Sequence, residues 1–252
     1  MPVTTDLPFP YPAYVDMLQT FYASLNGPDS FAPVQSWDSD TYASRVYCSR
    51  GPVLEKAGFT LLNVAGGTVN GSPATLRLFE TLAYPANPAL PGLIIMTNMN
   101  ETAAMGRMVV FLADLFIQEG GAHRDDRQLF GTAVAEVCAR HGRDYEEYRA
   151  FASGQGLLAG CAAESGFLQF FTEADLPFLD DVIAAVLPAY RGILDAGRNR
   201  PAAPDAEEQR NLRRARMIDW ILTENFGISI ARENGIPLAT IEAYGFPPSI
   251  RY

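Results

Sequence analysis

The sequence predicts an α+β protein: a largely antiparallel sheet sandwiched between helices, in α/β/α layers. Three observations predict it. Gly92–Ile117, GLIIMTNMNETAAMGRMVVFLADLFI, holds two apolar, β-branched runs joined by a small polar connector, the pattern of a hairpin near the middle of a sheet. Further strand-like runs, around RVYC, EKAGFTLLNVAGGTVNG and FLQFF, cluster in the middle and later parts of the chain. Stretches with helical spacing of apolar residues lie on either side of them.

Taken in order, residues 1–12 are punctuated by proline and are expected to wrap the surface. Tyr14–Leu25, YVDMLQTFYASL, has helical spacing and ends at Asn-Gly-Pro-Asp. Phe31–Arg50 scatters Trp37, Tyr42 and Tyr47 around the RVYC strand. EKAGFTLLNVAGGTVNG reads as a strand closed by Gly66, Gly67 and Gly71. Its Gly-Gly pair reads as a tight turn, because the dinucleotide and P-loop spacings are missing. Ser72–Tyr84 reads as a short helix or strand in which Arg77 and Glu80 stand in an apolar run; Asn87-Pro88 and Pro91 then turn the chain into the hairpin.

After Ile117 a loop leads to an amphipathic helix with Leu129, Val134, Val137 and Cys138 on one side, stopped by Gly142. A second short helix covers Tyr145–Phe151. A glycine-rich segment precedes FLQFF, expected as an edge or central strand. Leu176–Leu194 is a helix kinked or interrupted at Pro188. Residues 195–208 form a polar loop, Gln209–Arg216 leads into MIDWILTENFGISI, and Ala239–Tyr244 is expected as a last strand. The 252 residues are expected to form a single domain, with an N-terminal helix and wrap over 1–50 and a core over 51–252.

The net charge of −10 and the lack of a basic run argue against nucleic acid as a partner and against a membrane surface. Cys48, Cys138 and Cys161 are widely spaced and without CxxC, so neither a disulfide framework nor a zinc site is expected; a reducing cytoplasm is the expected compartment. The N-terminus lacks the pattern of a signal peptide, and no window approaches a spanning helix. His123 stands in a polar loop and His141 at a helix C-terminus, so neither is placed for metal or triad chemistry. No metal or organic cofactor is expected.

Chemistry concentrates on the hairpin. Side chains alternate along a strand, so Ile94, Met96, Asn98 and Asn100 share one face and Leu93, Ile95, Thr97 and Met99 the other. On the return strand Met108, Val110, Leu112 and Asp114 fall in one register. A carboxylate amid so much apolar sequence is paired, protonated or used; Asp114 either caps a neighbouring loop or takes part in catalysis. Glu101 is either a solvated acid of the hairpin turn or a proton carrier. Arg77 is either an ion-pair partner of Glu80 or a clamp for a carboxylate.

EKAGF at 55–59, NPALPGLIIM at 87–96, Asp114-Leu115, ARHGRDYEEYRAF at 139–151, FLQFF at 167–171, LPAYRGIL at 187–194, RRARMIDWIL at 213–222 and FPP at 246–248 resemble, in order, the oxygen-dependent coproporphyrinogen III oxidases. The resemblance implies a flat antiparallel sheet between helices, a homodimer, and catalysis without metal or organic cofactor. It does not carry the activity across. The family's cleft arginine aligns with Asn98, and the histidine and asparagine before it with Ile94 and Met96. Its triple glycine aligns with Val110, Phe111 and Leu112, and a further arginine with Glu164. Asp114 keeps the family's pocket acid. A tetracarboxylate macrocycle is gripped by arginine forks and by amides exposed at glycine, so these changes imply a narrower, oilier, less cationic cavity with a changed substrate.

Three functions fit such a pocket. The first is acid/base condensation of a small aromatic amine or amino acid of the tryptophan type with an aldehyde, followed by cyclisation. In pocket logic this is similar to the bacterial β-carboline-type Pictet–Spengler cyclases of natural-product biosynthesis. Ile94 and Met96 would wall the ring, Asn98 and Asn100 orient the amine or aldehyde, Arg77 hold a carboxylate, and Glu101 or Asp114 move protons. The second is a cofactor-free, O₂-dependent oxidative decarboxylase acting on a pyrrole or related ring with Asp114 as base. The third is a non-catalytic, ligand-binding dimer.

Overall fold

The computed structural model describes residues 11–104, 106–116, 124–154, 165–223 and 225–250. The first ten residues of the proline-punctuated stretch, His123, Cys161, Glu164 and glycine-rich residues 155–160 lie outside them. Seven strands form one antiparallel sheet in which sequence order is spatial order. They are β1 (Gln35–Asp38), β2 (Tyr42–Ser49), β3 (Leu54–Val69), β4 (Ser72–Pro85), β5 (Gly92–Thr102), β6 (Gly106–Phe116) and β7 (Phe167–Phe171). The helices are α1 (Tyr11–Asn26), α2 (Arg124–Arg140), α3 (Tyr145–Gly154), α4 (Leu176–Gly197), α5 (Ala206–Thr223), α6 (Phe226–Glu233) and α7 (Leu238–Gly245). The α+β class and the antiparallel sheet packed with helices are as the sequence predicts.

The central hairpin forms with Ile95 opposite Ala113, Met96 opposite Leu112 and Asn98 opposite Val110. Ser72–Tyr84 is strand throughout, paired on both sides. The turn ahead of it is made by Asn70 (φ 51°) and Gly71 (φ 72°), two positive φ values in succession, which match the twist of the flanking strands. Gly66-Gly67 is therefore no turn. It lies inside β3, where the register to β4 slips between Val64 and Gly67. A Cβ on Gly67 would lie 2.2 Å from Asn234 Oδ1. That close approach lets the Asn234 side chain accept from Thr68 N and donate to Thr68 O, both at 2.8 Å, clamping the end of α6 to the bulge.

The predicted last strand is also corrected: residues 238–245 form α7. Pro237 stands before it, and Thr240 and Tyr244, one helical turn apart, are both buried, so the period is helical rather than alternating. The helix predicted over Leu176–Leu194 is α4, which runs through Pro188. Among the described residues FLQFF is an edge strand, paired with β6 alone.

One face of the sheet carries the main core. Phe59, Phe79, Ile95, Phe111 and Ala113 pack with Leu18 and Tyr22 of α1, Phe130 and Val134 of α2, and Leu179, Ile183 and Tyr190 of α4. Each fully buried large side chain contributes about 2–3 kcal/mol by removal from water. The opposite face is shared. Over β2–β4 it is packed by Met217 of α5, Ile230 and Ala231 of α6, and Ile241 and Tyr244 of α7. Over β5–β7 it holds Ile94, Met96, Val110, Leu112 and Leu168, met by Phe151 of α3. Helix α3 wraps the β7 edge, turning Tyr148 toward Phe167 and Phe171 on the core face and Phe151 toward Phe170 on the other.

Candidate functional site

Alternation along β5 puts Ile94, Met96, Asn98 and Asn100 on the second face, as the sequence predicts, each only partly buried. The amide oxygens of Asn98 and Asn100 are themselves buried, and neither has a hydrogen-bond partner. A buried acceptor left unpaired costs about 1–3 kcal/mol. The two lie two residues apart on an apolar strand face, and so about 7 Å from each other, as acceptors that an N–H donor reaching them would satisfy.

Glu80 of β4 joins this face. It lies opposite Met96, and Leu78 lies opposite Asn98, so the carboxyl stands diagonally across from the amides. Its Oε2 accepts from Tyr244 OH at 2.6 Å. Burial raises the Glu80 carboxyl above its ordinary value, and the hydrogen bond from Tyr244 opposes that rise without cancelling it. The phenol is itself held far up by burial and by Glu80. Tyr244 reaches this spot because α7 crosses β3 at Gly58, where a Cβ would lie 2.6 Å from Tyr244 O. Glu80 therefore stands at the seam between the helix-covered half of the face and the β5–β7 half.

The constellation expected from the sequence is divided between the two faces. Arg77 shares its face with Phe79, three residues before Glu80, so the two point oppositely and cannot pair; Arg77 Nε donates to Asn63 Oδ1 at 3.0 Å. Glu101 lies opposite Arg107 and meets it at 3.1 Å in an exposed pair, which Glu173 joins from the other side at 3.1 Å. Neither Arg77 nor Glu101 shares the face of Asn98 and Asn100.

Asp114 is only 2 % exposed, and its Oδ1 accepts from Leu115 N (2.8 Å), Ser165 N (3.1 Å) and Gly166 N (2.7 Å). It caps the chain as it enters β7, with Tyr145 OH donating to Ser165 O at 2.7 Å beside it. A Cβ at Gly166 would lie 1.7 Å from Ala113 O, so only glycine lets the chain come this near.

In the sequence Glu80 appears only as one possible ion-pair partner of Arg77, with no link to Tyr244. Strand parity carries the first signal: Glu80 is in phase with Leu76, Leu78 and Leu82. The second is tertiary, since Tyr244 is 164 residues away.

Among the described residues no group of three His, Cys, Asp or Glu side chains is placed to hold a metal ion. Cys48 and Cys138 are free and buried, and no described helix is long and apolar enough to cross a membrane.

No protein-family model matches the chain, and no curated protein matches it either. Among solved structures, the chain is similar to phytochromobilin synthase from tomato, determined in complex with biliverdin. The TM-score is 0.60 at 12 % identity, over 94 % of this chain and 82 % of that one. At such identity the likeness is one of fold, and the coproporphyrinogen oxidase resemblance is met only loosely, as an antiparallel sheet between helices.

Proposed function

We propose that the protein binds a flat, conjugated ligand of the linear-tetrapyrrole class on the second face of its sheet, and moves protons to and from it through Glu80. The observation that carries this reading is the pair of buried, unpartnered amide oxygens on Asn98 and Asn100. Pyrrole and lactam rings present N–H groups that would satisfy both, while Ile94, Met96 and Val110 offer an apolar wall. The fold it shares with phytochromobilin synthase, solved with biliverdin, supports the same ligand class. A carboxyl raised by burial is suited both to giving and to taking a proton. Absorbance titration with biliverdin tests the reading. Saturable spectral change is expected, weakened at least tenfold in the Asn98→Leu/Asn100→Leu double variant and retained in Glu80→Gln. No spectral change, or equal binding by the double variant, would overturn it.

The condensation of an aromatic amine with an aldehyde is the second reading, favoured by the same raised carboxyl against an apolar wall. Its proton carrier then becomes Glu80 rather than Glu101, because Glu101 sits on the other face. Incubation of a tryptophan-type amine with an aldehyde under anaerobic conditions separates the chemistries: cyclised product without oxygen supports condensation, and oxygen uptake with a pyrrole substrate supports oxidative decarboxylation. Ligand that binds and leaves unaltered in every arm supports the binding-dimer alternative.

A further inference from the structure

Helix α5 carries two arginines one turn apart, both turned inward. Arg214 is 1 % exposed and Arg210 8 %. Arg214 Nη1 donates to Glu55 Oε2 at 3.1 Å and to Ser249 Oγ at 3.2 Å, with its guanidinium 5.5 Å from the centre of the Tyr84 ring. Arg210 Nη1 donates to Ala86 O at 3.1 Å. Among the described residues the only carboxylate within ion-pair distance of either guanidinium is that of Glu55, on Arg214. The Nε–H groups of both arginines are buried without an acceptor.

Two buried guanidinium charges therefore face one carboxylate. Taking a cation out of water is expensive unless an anion and hydrogen-bond acceptors replace the solvent, and here one charge and two donors are left over. Desolvation and the neighbouring Arg210 both hold the Arg214 guanidinium below its ordinary value. A planar fork with a free Nε–H is the geometry that receives two oxygens of one oxyanion. The approach is from the side of Ser249, which is exposed, and of Glu55, whose side chain is 31 % exposed.

We propose that Arg210 and Arg214 form a binding site for an oxyanion, a carboxylate or phosphate group, which enters beside Ser249 and completes the neutralisation that Glu55 begins. Tyr84, under Arg214, belongs to the same packed cluster as Ile94 of the candidate site. The anion is either free in solution or a carboxylate borne by a ligand on the sheet face. The site itself stands apart from the ligand proposed above, and the two fail separately.

Thermal unfolding of the full chain in inorganic phosphate, against chloride at equal ionic strength, tests it. The wild-type protein should gain about 2–4 °C, saturably. Arg210→Met should lose that response while unfolding in chloride at an unchanged or higher temperature, because one of two like charges is gone. Glu55→Gln keeps the core intact and should bind phosphate several-fold more tightly. A wild-type shift that follows ionic strength regardless of the anion would overturn the proposal. So would an Arg210→Met variant that keeps the phosphate response, or a Glu55→Gln variant with unchanged or weaker phosphate affinity. Biliverdin and its dimethyl ester then separate the sources. Phosphate that competes with the diacid and not with the diester supports a ligand carboxylate here, and phosphate that competes with neither supports a free anion.

Discussion

Asp114 and Glu80 are two carboxylates on the same face of one sheet, and they are held in opposite ways. At the β6–β7 corner three backbone N–H groups converge on one oxygen of Asp114. At the seam between β4 and α7, Glu80 receives one phenol and lies between Thr60 of β3 and Met96 of β5. Converging amides tie the Asp114 carboxylate to the chain entering β7. Burial against a single donor raises the Glu80 carboxyl above its ordinary value. Apolar surroundings in sequence therefore do not distinguish an acid tied down by backbone donors from one held by a single side chain.

The largest break in this comparison is at the corner. Asp114→Ala should leave three buried N–H groups without their acceptor and lower stability by about 3–5 kcal/mol, measured by urea unfolding. Gly166→Ala should do comparable damage, since its Cβ would overlap Ala113 O at 1.7 Å. Stability unchanged in either would remove the contrast.

Lys56 supplies the mirror case, a buried cation on backbone acceptors: its Nζ donates to Glu242 O at 3.0 Å and Phe246 O at 2.6 Å. Burial lowers its pKa from 10.5 to about 8. The unfolded chain thus binds more protons between those two values, so stability should rise with pH across that window, by about 3 kcal/mol in all. Lys56→Met should abolish the slope; a flat profile in the wild-type protein would show that the two carbonyls compensate fully for burial.

Smaller effects belong to the amides. Asn98→Leu and Asn100→Leu should each raise the stability of the ligand-free protein by about 1 kcal/mol, because an unpaired buried acceptor is replaced by apolar surface. A loss of stability instead would mean that the oxygens are already satisfied. The smallest change in stability is expected at Glu80. Its raised carboxyl contributes stability that is fully present below the ordinary glutamate range and is lost as pH rises through the folded-state value. Glu80→Gln should remove that component from the pH–stability curve and, if the proposed proton transfer takes place there, lower turnover by about 10²–10⁴-fold.

Much of this was legible in the sequence because two periods carry it. Alternation through GLIIMTNMN placed Ile94, Met96, Asn98 and Asn100 together, and the apolar period of Leu176–Leu194 marked the helix over the core. The failures have equally physical origins. Gly66-Gly67 outweighed Asn70-Gly71 as a turn signal, although only the latter pair separates two strands by two residues. In α7, eight residues long, an alternating reading and a helical one are hard to tell apart, so Tyr244 was lost to the site. The loop-capping role read for Asp114 depends on Ser165 and Gly166, 51 and 52 residues on, whose approach no local pattern announces.

Because every strand after β1 pairs with the one made just before it, the sheet can be laid down progressively as the chain emerges, with short connections to close at each step except the last, where α2 and α3 stand between β6 and β7. The phenol that meets Glu80 comes 164 residues later. A nascent chain thus completes the strand face that carries Asn98 and Asn100 long before Tyr244 arrives to meet Glu80.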